Sequence, residues 1–131
     1  MKTLVVLLFM TLGSFACLSQ STERLQADDS ARIELERTAL VKELTDLRDS
    51  INQSLNIFSR SIRKTTPKKE KQMKNASQEL AQYRDRLKLD IQQVQLTAKN
   101  GWSVNNIKRI TDDAADIRKE HKRMLAAYEH P

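Results

Sequence analysis

Three stretches of the chain each carry a single apolar stripe at helical spacing. The first stripe is Ile33, Leu40, Leu44, Leu47, Ile51, Leu55, Phe58 and Ile62. From Leu40 its steps are four, three, four, four, three and four residues, which keeps it on one face of an α-helix. This predicts a helix from Thr22 or Ser30 to Lys64. Ile33, Leu44 and Leu55 are eleven apart, as are Leu40, Ile51 and Ile62. Eleven residues complete three turns, so such a helix lies nearly straight beside its partners. The second stripe is Met73, Ala76, Leu80, Tyr83, Leu87, Ile91, Val94 and Ala98, on a helix from Pro67 to about Lys99. The third is Ile107, Ile110, Ala114, Ile117, His121, Met124 and Tyr128, on a helix from Val104 to about Tyr128.

The breaks between these helices have local causes. Thr65-Thr66-Pro67 ends the first helix, because the residue before a proline is pushed out of the helical region. Proline suits a first helical turn, so Thr66 is the expected N-cap of the second helix. At Asn100-Gly101-Trp102-Ser103, Gly101 is expected to close the second helix in a left-handed conformation. Ser103 then caps the third helix, and Trp102 and Ile107 have the spacing of a hydrophobic staple. Trp102 is therefore expected to fix a turn rather than bind a ligand.

One apolar stripe per helix demands partners, and short connections favour antiparallel neighbours. The expected class is all-α: an up-down-up three-helix bundle, or an elongated antiparallel helical coiled coil that oligomerises. A homo-oligomer thus stays open. Leu89 and Leu96 fall off the second stripe and are expected to flank the core, with a small oligomer contact as the alternative. Two glycines and two prolines in 131 residues fit long helices better than a β-fold.

The start of the chain has another pattern. Met1-Lys2-Thr3 precedes the apolar run Leu4–Leu12, and small residues follow. This arrangement resembles a bacterial export signal and predicts a signal peptide over 1–19, cut at 16/17 or 19/20. The run is far shorter than the ~20 residues a membrane span needs. Three outcomes are open for Cys17, the only cysteine. It becomes the lipidated first residue of a lipoprotein, a free thiol after cleavage behind Ala16, or is discarded by cleavage behind Ser19. Ala16 suits a lipobox; Ser14 and Phe15 depart from one. Residues 20–32 are expected to be a polar tether or frayed helix start, and 33–131 a single helical-bundle domain. Asn52 and Asn75 match the glycosylation acceptor pattern but fall in expected helices, which argues against their use.

Charge adds a pole to this picture. The formal net charge is +6, with both signs interspersed. In an up-down-up bundle the end of helix one, the start of helix two and the end of helix three meet. Arg60, Arg63, Lys64, Lys68, Lys69, Lys71 and Lys74 would gather there with Arg118, Lys119, Lys122 and Arg123. Cations at the ends of helices one and three complement the helix dipoles; those at the start of helix two do not. Lys64, Lys68, Lys69, Lys71, Lys74, Arg118, Lys119, Lys122 and Arg123 are therefore the candidate contacts for an acidic envelope component or acidic protein. A first helix of about 40 residues spans roughly 60 Å, which would hold a lipid-anchored Cys17 far from this pole.

Candidate chemistry is sparse. Asp112, Asp116 and Glu120 recur every four residues beside Asp113, and are expected to pair with Lys108, Arg109 and Lys119 rather than hold a cation. His121 lies on the third stripe and reads as a hydrogen-bonded core or boundary residue. No catalytic site, metal or cofactor is expected, because metal-ligand spacing, phosphate loops and nucleophile elbows are missing. Export and the lack of interleaved aromatics argue against nucleic acid. The expected function is a non-enzymatic interaction or spacer module of the bacterial envelope, periplasmic or anchored to a membrane through lipid. The alternative is an amphipathic lipid-surface protein whose helices open on membranes.

Overall fold

The computed structural model describes the backbone of residues 2–129 and the side chains of residues 29–128. The chain is all helical: α1 (Lys2–Ser61), a 3-10 turn (Ile62–Lys64), α2 (Pro67–Leu96), a second 3-10 turn (Lys99–Gly101) and α3 (Val104–Glu129). It divides into two compact units, Met1–Glu36 and Arg37–Pro131. The α1 helix begins ahead of the Thr22 or Ser30 start expected from capping. Its leading segment contains no proline and only Gly13 as a breaker, so nothing local stops the helix. Cys17 and the two expected cut sites lie outside the residues whose side chains are described.

In the Met1–Glu36 unit, the described surface is held by charge pairs one turn apart. Arg32 reaches Glu36 at 3.0 Å and Asp29 at 3.7 Å. All three are exposed, so these pairs add little to stability.

The Arg37–Pro131 unit is an up-down-up three-helix bundle. Its core takes Leu40, Leu44, Leu47, Ile51 and Phe58 from α1, with Met73, Ala76, Leu80, Leu87, Ile91 and Val94 from α2. Ile110, Ala114, Ile117 and Met124 complete it from α3. These are the stripe positions, because a period near 3.6 presents each of them to the other two helices. Contacts between helices give the directions. Ser54 meets His121 and Phe58 meets Tyr128, so α1 and α3 run parallel. Gln93 meets Arg109 while Arg86 meets Asp113, so α2 runs opposite to α3.

Two expectations at the boundaries are corrected. Gly101 is not left-handed, and no residue described has positive φ. The α2 helix stops earlier, at Leu96, where extended Thr97 is the C-cap and returns its N–H to Gln93 O at 3.0 Å. Gly101 instead closes the short turn with its N–H on Ala98 O at 2.9 Å. A Cβ at Gly101 would meet only the Thr97 methyl, at 3.6 Å, which is ordinary contact. Leu89 and Leu96 are also not core flank: they are 65% and 84% exposed. Both lie off the buried stripe of α2; Leu89 borders an open surface pocket with α3 residues such as Lys108 and Asp112.

Candidate anion-contact pole

The end of α1, the start of α2 and the end of α3 meet as the stripes require. Phe58 and Tyr128 touch edge to face, with ring centroids 5.1 Å apart. Beyond Ser61 the 3-10 turn presents Arg63 and Lys64, and Thr65 turns to extended backbone. Thr66 takes the N-cap position with φ −69° and ψ 154°, and Pro67 follows at the first helical position. The Thr66 side chain makes no capping bond. The first helical hydrogen bond runs from Glu70 N–H to Thr66 O at 2.8 Å.

This junction leaves an open recess of about 340 Å³. Phe58, Met73 and Leu125 form its apolar part; Ser61, Thr65 and Tyr128 add hydroxyls. Ile57 lines the same recess and is 50% exposed. Lys64 from the turn and Lys69 from α2 are the charged residues lining it, and among the described residues no carboxylate lines it.

The nine candidate contact residues separate into three groups. Lys64 and Lys69 line the recess. Lys68, Lys71, Lys119 and Lys122 are exposed. Lys74, Arg118 and Arg123 are engaged within the fold: Lys74 with Glu70 at 2.6 Å, Arg118 with Glu43 at 2.7 Å, and Arg123 with Glu120 at 2.7 Å. Arg118 lies ten residues before Tyr128, about 15 Å along the helix, and so sits on the flank of the bundle. The Glu120 carboxylate, by hydrogen bonding and by charge, raises the pKa of the exposed Arg123 guanidinium.

The opposite end of the bundle is closed by its own side chains. Ser103 Oγ accepts the Asn106 N–H at 3.2 Å, capping α3. Trp102 and Ile107 both pack against the core, consistent with the staple. Arg37 lies over the Trp102 ring, 4.9 Å from its centroid. The same guanidinium donates to the carbonyl oxygens of Val94 and Gln95, at the carboxyl end of α2. The sequence reading missed this latch, since Arg37 sits just off the stripe and its partners on α2 are more than fifty residues away in sequence.

Asp112, Asp113 and Glu120 of the acidic series on α3 form ion pairs, with partners only partly as expected, while Asp116 forms none with the described residues. Lys108 pairs with Asp112, one turn away. Asp113 pairs across the interface with Arg86, and Glu120 pairs with Arg123 rather than Lys119. Arg109 donates to Gln93 Oε1 at 2.9 Å instead of to an aspartate on its own helix. Cross-helix partners won because these residues border the α2–α3 seam. Among the described residues, no group of three or more His, Cys, Asp or Glu is placed to hold a metal ion.

Among the described residues, three polar ones are buried: Ser54, Asp90 and His121. His121 is 6% exposed, and its Nε2 lies 2.8 Å from Ser54 Oγ. Ser54 also donates to Ser50 O at 3.1 Å. The hydroxyl carries one proton: when it goes to Ser50 O, His121 donates from Nε2–H, and when it goes to Nε2 the imidazole accepts, as an activated serine requires. Burial lowers the His121 pKa. Asp90, 7% exposed, lies on α2, and its Oδ2 has no hydrogen-bond partner. Burial first, then repulsion from Asp113, raises its pKa. Sequence reading passed over Ser54 and Asp90 because both are ordinary surface residue types adjacent to a stripe.

Among the described residues no helix is long and apolar enough to cross a membrane. No family model, no curated protein and no solved structure matches the chain.

Proposed function

We propose that this protein is an exported, non-enzymatic helical-bundle module of the bacterial envelope that contacts acidic partners through its basic pole. The observation that carries the reading is the placement of Lys64 and Lys69. They come from two elements, yet they line one recess that, among the described residues, no carboxylate lines. Lys68, Lys69 and Lys71 also crowd the amino end of α2, where only Glu70 is acidic in the first turn. Cations there oppose the helix dipole, by a few tenths of a kcal/mol each. An external anion would relieve that opposition. The leader resembling an export signal supplies the location, and Cys17 supplies an anchor if it is retained.

The test is a charge reversal with defined acidic probes. Wild type should bind polyglutamate and lipopolysaccharide, more weakly as salt rises. The variant K64E/K68E/K69E/K71E should lose about tenfold or more in affinity, equivalent to about 1.4 kcal/mol. Unchanged binding would reject the pole as a contact surface. Mass spectrometry of the mature amino terminus checks export separately: acylated Cys17 indicates an anchor, and a chain beginning at Gln20 indicates a soluble product.

A second reading has one observation in its favour. Leu89 and Leu96 sit seven apart on α2 and are exposed, so α2 offers apolar side chains to a lipid surface. A gain of helix or loss of cooperative melting on adding anionic vesicles would favour that reading.

A further inference from the structure

The recess at the pole contains more apolar surface than an ion contact requires. Phe58 and Met73 are buried at its base, Leu125 packs against the core beside it, and Ile57 remains half exposed along it. The two lysines supply charge of one sign at the same opening. Its volume of about 340 Å³ lies near the lower end of small-molecule sites. Such sites pair an apolar wall with a few placed polar groups.

We propose that this recess binds a monomeric single-chain anionic amphiphile, with its chain against Phe58, Met73 and Leu125 and its acid group at Lys64 and Lys69. The inference rests on reading the pole as an anion-contact surface and names the ligand class for it. Charge complementarity selects the acid group, because among the described residues every ionisable side chain lining the recess other than Tyr128 is a lysine. Size selects one chain. The surroundings select a monomer over a bilayer: Arg60, Arg63, Lys68 and Lys71 near the opening are exposed and charged, and a bilayer would need a continuous apolar face. Tyr128 and Ser61 hydroxyls offer further donors to the acid group.

Calorimetric titration of the mature protein with decanoate, below its micelle concentration, tests the assignment. Saturable one-to-one binding is expected. Acetate, which lacks the chain, and 1-decanol, which lacks the charge, should each bind about tenfold more weakly or worse. The variant K64Q/K69Q should bind decanoate about tenfold more weakly, approaching decanol. The variant S61F fills the recess and should abolish decanoate binding while keeping the helical circular dichroism of wild type. Equal decanoate affinity in S61F and wild type would overturn the proposal, as would binding confined to phosphatidylglycerol vesicles. Polyglutamate separates the two readings. Retained polyglutamate binding without decanoate binding rejects the amphiphile site alone. Decanoate binding without polyglutamate binding supports the site and rejects the pole as a polymer contact.

Discussion

The two ends of the bundle are built from the same materials and finish differently. At the Trp102 end, a cation, an aromatic ring and helix carbonyls satisfy one another through Arg37. At the Tyr128 end, aromatic rings also meet, yet Lys64 and Lys69 line an open recess where no carboxylate stands among the described residues. Cations at a helix carboxyl end are stabilised by the dipole; cations at a helix amino end are not. Arg37 occupies the first situation and Lys69 the second. One end therefore has the marks of a structural closure, and the other those of a surface kept for contact.

The largest expected effect falls on the closed end. Trp102→Ala removes a packed ring and the Arg37 stacking partner, and should cost about 2–3 kcal/mol in urea denaturation. Arg37→Ala should cost about 1–2 kcal/mol, because it frees the α2 carbonyls and uncovers the ring. If both cost less than the corresponding changes at the pole, the contrast between the ends fails.

Each end also has a buried polar group that sharpens the contrast. Asp90 lies a turn before Val94, towards the closed end. Its raised pKa means that the folded state favours the protonated form. Its contribution is therefore lost as pH rises from the unfolded value through the folded one. Asp90→Asn should raise stability at neutral pH by about 1 kcal/mol, measured by thermal or urea unfolding. His121 lies towards the pole, and its pKa is lowered. The neutral ring is the folded form, so the unfolded chain binds more protons as pH falls below about 6.5. Stability should decline on acidification through that window and level off below the folded pKa. His121→Gln should flatten this slope in urea titrations from pH 7.5 to 5.

These effects also show what sequence could and could not convey. The core stripes were readable because helical periodicity alone decides which residues face inward: Leu44, Ile51, Leu80 and Val94 are all fully buried. The Pro67 and Ser103 boundaries were readable because their chemistry is local. Contacts across helices were not. Arg118 reaches Glu43 and Arg86 reaches Asp113, and no spacing along one helix encodes such pairs. Leu89 and Leu96 show the opposite error: apolar identity suggested core, but their angle on α2 leaves them in water. Gly101 was assigned left-handed geometry from residue type, yet Thr97 ends α2 in extended backbone before that conformation is needed. Of the candidate pole, the meeting of three helix ends was legible, and the one-turn spacings of Lys74 with Glu70 and Arg123 with Glu120 were there to be read; the capture of Arg118 by Glu43 across helices was not.

The smallest stability effect belongs to the pole itself. Lys64→Gln with Lys69→Gln should change stability by less than about 0.5 kcal/mol, because the pair makes no core contact that the amides cannot replace. A large loss would mean that these lysines are structural, like Arg37.

The most direct test of the central claim is polyglutamate affinity of K64Q/K69Q and R37Q, measured side by side with wild type at low and high salt. The account predicts that K64Q/K69Q weakens binding several-fold at low salt while R37Q binds as wild type does. Equal losses in the two variants, or no loss in K64Q/K69Q, would contradict it.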